Sequence, residues 1–165
     1  QNRVGTRTHQ RSIGSKSTLQ DLEKWVNTLI ETNDWGVGMT HGLTYGYDAF
    51  RNPQRLWDHL DQVKARENEI WVGTFREVAS YIKEREETRL EVVNKKNTLL
   101  ITPELKLDQE LFVEPLTMVI TGKEIKKVTV KQGKRKLPVQ ITDDKVLFDF
   151  DPYGGMIKVT LKIQK

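Results

Sequence analysis

Two rhythms of apolar residues divide this chain. Up to about residue 88 they recur at helical spacing, interrupted by two short apolar runs; beyond it they alternate with polar residues almost throughout. In the first stretch Leu19, Leu22, Val26, Leu29 and Ile30 predict a helix, with Trp25 beside them and Thr18 placed to cap it. Asn33-Asp34 breaks that helix. Trp35, Val37 and Met39 then alternate with Gly36, Gly38 and Thr40, which predicts a short strand. Its bulky residues share one face, and the other face is bare enough for something to pack close. Gly42 to Asp48, with two glycines and two tyrosines, reads as a loop. Asn52 and Pro53 open a second helix, whose apolar face is Leu56, Trp57, Leu60 and Val63. Ile70-Trp71-Val72 predicts a second buried strand. Thr74-Phe75-Arg76-Glu77 matches a capping box, opening a third helix with Val78, Ala79, Tyr81 and Ile82 inward. Residues 1–17 show no clear period and read as loop.

The order strand, helix, strand, helix implies parallel strands joined by crossover helices. Two strands and three helices close no barrel. The first half is therefore expected to be the C-terminal end of a larger α/β domain. In the second half Val128 and Val130, then Leu137, Val139 and Ile141, then Ile157, Val159, Leu161 and Ile163 keep a period of two. Turn signals at Gln132-Gly133-Lys134, Thr142-Asp143-Asp144 and Asp151 to Gly155 separate these runs. Leu90–Val93, Leu99–Thr102 and Leu116–Ile120 are earlier strand candidates. Six or seven short strands at this spacing suggest a small β-sandwich. The expected domains are 1–88 and 89–165.

Composition narrows the class. With 36% hydrophobic and 30% charged residues, disorder is not the default. No apolar run approaches the roughly 20 residues of a membrane-spanning helix, so no membrane span is expected. The chain has no cysteine, which removes a disulfide framework and thiolate metal sites. It begins with Gln1, so a processed protein or a piece of a longer one is expected. Lys and Arg number 12 against 13 Asp and Glu over residues 1–88, and 15 against 10 over residues 89–165. Lysine on the solvated faces and edges of a β-rich half accounts for the excess. Nucleic-acid binding by that half is the weakest of the functional readings, and no nucleic-acid partner is expected.

The candidate chemistry is sparse. Of the three histidines, His59 falls on a polar phase of the second helix and reads as a solvated surface residue. His9, in the basic N-terminal stretch, is uninformative alone. His41 is different, because it follows a strand and precedes a glycine. Ligands gather beyond the carboxyl ends of parallel strands, and imidazole titrates near neutrality. Asp48 can orient His41 through its other ring nitrogen, while Asp58 and Asp61 read as solvated. No spacing of His, Asp and Glu suits a metal, and there is no phosphate-binding glycine loop or nucleophile elbow. Tyr45, Tyr47, Trp57 and Tyr153 can stack on sugar rings, although aromatics at such positions more often pack locally.

These motifs carry a resemblance. Trp35 to Gly42 (WGVGMTHG), Tyr47-Asp48-Ala49-Phe50, Leu56 to Leu60 (LWDHL) and Trp71 to Ile82 (WVGTFREVASYI) resemble the C-terminal part of the NodB-homology polysaccharide deacetylases, the fourth carbohydrate esterase family. The match covers residues from about 12 to 88, and the stretch IWVGTFREVASYIKERE is its more specific half. The remainder looks like the immunoglobulin-like β-sandwich appended to some bacterial members. The resemblance implies α/β plus all-β architecture: C-terminal βα units of a distorted (β/α) barrel, then a small sandwich. It implies hydrolysis of acetyl groups from an acetylated polysaccharide, in the periplasm or outside the cell. It also implies a divalent metal, commonly zinc, held by an Asp and two His, with a second Asp as general base. His41 matches the family's general acid. The family's Thr-Phe-Asp-Asp and His-x-x-x-His motifs do not occur here. Metal ligands and general base are therefore expected from a missing N-terminal part of the barrel, and the chain alone is expected to be inactive. The alternative is a non-catalytic carbohydrate-binding or cell-envelope interaction module.

Overall fold

The computed structural model describes residues 7–122, 125–142 and 144–163, without the side chains of residues 125, 126, 162 and 163. The chain divides into two compact units, Gln1–Phe75 and Arg76–Lys165.

In the first unit, β1 (Thr8–Ser12), α1 (Leu19–Thr32) and β2 (Trp35–Met39) form a βαβ motif. The strands pair in parallel, Thr8 against Trp35 through Ser12 against Met39. Thr18 closes a full capping box: its hydroxyl accepts from the Asp21 N–H, and the Asp21 carboxylate accepts from the Thr18 N–H, both at 3.1 Å. Asn33 ends α1 in the left-handed conformation, φ 55°, which Asn tolerates. The bare face of β2 receives α1: a Cβ added at Gly36 would lie 2.2 Å from Leu29 Cδ1. α2 (Gln54–Lys64) begins where the Gln54 N–H donates to Asn52 Oδ1 at 3.0 Å. Ile13, Leu22 and Phe50 form the buried cluster of this unit, and Leu56 packs against it.

Two local expectations change. Residues 1–17, read as loop, contain β1. That segment has no apolar alternation, and its strand conformation comes from pairing with β2. The strand expected at Ile70-Trp71-Val72 does not form. The Ile70 N–H turns back to the Arg66 carbonyl at 3.0 Å, a helical-type bond, and Val72 is 69% exposed. The parallel partner of β2 is therefore β1.

The second unit holds α3 (Phe75–Glu87), all but its first residue, and then strands only. These are β3 (Arg89–Lys95), β4 (Thr98–Glu104), β5 (Leu116–Thr121), β6 (Ile125–Gln132), β7 (Arg135–Leu137), β8 (Gln140–Ile141), β9 (Lys145–Phe150) and β10 (Ile157–Ile163). They make two antiparallel sheets, ordered β3-β4-β10-β6-β7 and β5-β9-β8. Ile101, Val130, Leu137, Ile157 and Val159 of the larger sheet share one buried cluster with Leu116, Val146, Phe148 and Phe150 of the smaller. The run from Leu137 to Ile141, continuous by pattern, divides at Pro138, which has no N–H to give a ladder. β7 stays with β6, and β8 joins β9.

The two compact units divide between Phe75 and Arg76, which groups α3 with the strands that follow it. Tyr81 packs against the sheet cluster, and the buried Glu84 carboxylate accepts from the Glu114 N–H at 3.0 Å. The class is mixed α and β, with no closed barrel among the described residues. No helix of the described residues is long and apolar enough to cross a membrane.

Candidate functional site

Because β1 and β2 run in the same direction, the loops that follow them leave the same end of the pair. Asp48 fastens the two loops together. Its Oδ1 accepts from the Ser15 hydroxyl at 2.6 Å and from the Ser15 N–H at 3.2 Å. Gly14 permits the approach, since a Cβ there would lie 2.0 Å from the Asp48 carbonyl oxygen. Arg55 of α2 donates from Nη1 to the carbonyls of Ser15 and Ser17, at 3.0 and 2.9 Å. The loop after β2 is closed on itself as well. The Phe50 N–H donates to the Gly42 carbonyl at 3.2 Å, and the Gly42 N–H donates to the Thr40 hydroxyl at 3.3 Å. Ala49 and Phe50 are fully buried and anchor its far end.

His41 sits inside this closed loop and is exposed. Its ring meets Tyr47 edge to face, with centroids 5.4 Å apart and planes at 84°. Tyr45 and Tyr47 are 86% and 83% exposed. The exposed imidazole can donate or accept a proton, and the two phenol rings present flat apolar surface beside it. No hydrogen bond joins Asp48 to His41 among the described residues. Asp48 Oδ1 accepts both Ser15 donors, and the Ser15 hydroxyl chiefly holds the carboxyl below the usual carboxylate value against partial desolvation, with smaller help from the Lys16 and His41 charges.

Most of the other candidates are buried or bonded locally. His59, expected at the surface, is 5% exposed. Leu56 and His59 turn inward, while Trp57 and Leu60 are each 44% exposed. Burial pushes the His59 imidazole below its ordinary value, and Nδ1 has no hydrogen-bond partner. His9 lies on β1, with Nε2 2.8 Å from Asp34 Oδ2, and ties the strand to the turn before β2. Asp58 accepts from Gln54 Nε2 at 2.8 Å, and Asp61 is exposed. The Tyr153 hydroxyl donates to the Leu107 carbonyl at 3.3 Å, so that ring packs locally. No group of three or more His, Cys, Asp or Glu among the described residues is placed to hold a metal. Gly14, Ser15 and Arg55, which frame the loop, carry no periodic pattern. The adjacent small residues Gly14-Ser15 were the signal for a close approach.

No family model matches the chain, and no curated protein matches it. Among solved structures, the α-fucosidase of Thermotoga maritima is similar over 93% of this chain and 39% of its own, at 10% identity and a TM-score of 0.30. The chain thus spans well under half of that enzyme's length, and a likeness of this degree fixes neither fold nor activity.

Proposed function

We propose that this chain is the C-terminal part of a metal-dependent polysaccharide deacetylase. In this reading the first unit supplies late βα units of a distorted (β/α) barrel, and the second is an appended immunoglobulin-like sandwich. The observation that carries the reading is the position of His41. It is exposed two residues beyond the carboxyl end of β2, in a parallel βαβ motif, on a loop tied down at both ends. Barrel enzymes collect their catalytic groups at that end of the strands. His41 would protonate the departing sugar amine or alkoxide when the acetyl carbon–heteroatom bond breaks.

The metal of such enzymes lowers the pKa of a bound water and polarises the acetyl carbonyl. The described residues do not fit that ion, since they bring no three ligand side chains together. The proton at His41 is therefore the whole of the chemistry assigned to this chain. Exposed Leu43, Trp57, Leu60 and Val72 in the first unit support the further barrel elements, which would cover them.

The test is acetate release from chitooligosaccharide or acetylxylan by the full-length protein supplied with zinc. His41→Ala should lower turnover by about 10²–10⁴-fold, the usual worth of general acid–base catalysis. Turnover unchanged by the substitution would remove His41 from the mechanism, and no acetate from either substrate would refute the deacetylase. The high exposure of Tyr45 and Tyr47 supports a second reading, a non-catalytic carbohydrate-binding module. Glycan binding without hydrolysis, lost on Tyr45→Ala or Tyr47→Ala, would select it.

A further inference from the structure

The outer face of the five-stranded sheet carries a row of like charges. Val130, Leu137 and Val159 point into the core. Side chains alternate along a strand, so Lys131, Lys136 and Lys158 point outward, and all three are exposed. The register sets them directly opposite one another: Lys158 against Lys131 across β10 and β6, then Lys131 against Lys136 across β6 and β7. With strands about 4.8 Å apart, three lysine side chains leave the sheet side by side. Lys127, four residues before Lys131, adds a fourth on the same face. None of the four forms an ion pair with a described residue.

Folding does not account for this row. Like charges directly opposite destabilise a sheet. Lysine on an edge strand guards against unwanted pairing, and that covers Lys136 on β7. It does not reach Lys131 and Lys158, because β6 and β10 are interior strands. Edge protection thus explains Lys136, while Lys131 and Lys158 are solvated face positions of interior strands, set opposite like charges. Beside the lysines runs a row of hydroxyls on the same face, Thr98, Thr160 and Thr129, paired across β4, β10 and β6.

We infer that this face docks an acidic polysaccharide, its lysines meeting carboxylates along one extended glycan and its threonines meeting sugar hydroxyls. Charge complementarity selects a linear polyanion. The described outward positions of β6, β7 and β10 hold no aromatic ring on which bases could stack, which favours a glycan over nucleic acid. The surface stands on its own residues, whether or not the first unit takes part in acetyl hydrolysis.

Titration of the whole chain with polygalacturonate at low ionic strength tests the inference. Binding should weaken as salt is added. The triple variant K131Q/K136Q/K158Q should bind about tenfold more weakly, as expected for three exposed ion pairs. Its unfolding temperature should hold or rise, since opposed charges are gone, and this separates lost binding from lost folding. K24Q/K106Q, which removes charge elsewhere, should bind as the wild type does. No binding of polygalacturonate, full binding by the triple variant, or tighter binding of a DNA duplex would each overturn the inference.

Discussion

Asp48 shows how much a single side chain settles at the end of β2. Its backbone is left-handed, φ 50°, and its carboxylate accepts both Ser15 donors. Because these bonds hold the folded carboxyl below its ordinary value of 3.8, the stabilisation is present above that pH and is lost as pH falls through the folded value. Asp48→Ala should therefore lower the unfolding temperature at neutral pH, and the difference from wild type should shrink in acid. A difference independent of pH would mean that the carboxylate is not the stabilising group. Gly14→Ala tests the same junction by volume. The new Cβ would press on the Asp48 carbonyl, and backbone yields less readily than a side chain. Urea denaturation should show a loss of about 1–3 kcal/mol, the usual cost of overpacking. The position of His41 just beyond a strand was legible from the WGVGMTHG pattern alone, because a period of two followed by His-Gly marks a strand end. The pairing of Asp48 was not, because its partner lies 33 residues away in a stretch without period.

At the scale of elements, legibility followed apolar periodicity. α1 has one strong apolar stripe and a complete capping box, and both its ends stand where the pattern sets them. α2 has apolar residues on two adjacent phases, so its sequence allows two inward faces. Packing against Ile13, Leu22 and Phe50 selects the one that carries Leu56. β1 is polar and becomes a strand only through its partner, whereas Ile70-Trp71-Val72 looks like a strand and has no ladder. Pairing is a property of two segments, and a single-segment pattern misses it in both directions. The contact of α1 with β2 tests this reading of elements. Gly36→Val would drive two methyl groups toward Leu29 and Trp25. A destabilisation of about 1–3 kcal/mol is expected. Gly36→Ala should cost less, because the nearest atom is the mobile end of Leu29. Equal stability of the valine variant would show that α1 does not rest on that face.

At the scale of the whole molecule, the two units carry buried titratable groups of opposite sense. In the first, burial lowers the His59 pKa below 6.5. The unfolded chain then binds the extra proton as pH falls, so this unit loses stability on acidification. In the second, burial raises the Glu84 pKa above 4.5, and the Glu114 and Asp151 charges add to the rise against the Glu114 N–H bond. Here the folded state holds the proton, so stability is full below the unfolded value and is lost as pH rises through the folded one. Acidification from about pH 7.5 to about 4.5, which passes the ordinary values of both groups, should thus weaken the first unit and strengthen the second. The sequence supplies separate reporters. Trp25, Trp35, Trp57 and Trp71 all lie in the first unit, while all but two of the strands lie in the second. The urea midpoint by tryptophan emission should fall on acidification while the midpoint by the β-sheet dichroism signal rises. His59→Leu should flatten the first response and Glu84→Gln the second. Midpoints that move together in one direction at both pH values would show that neither buried group governs its unit.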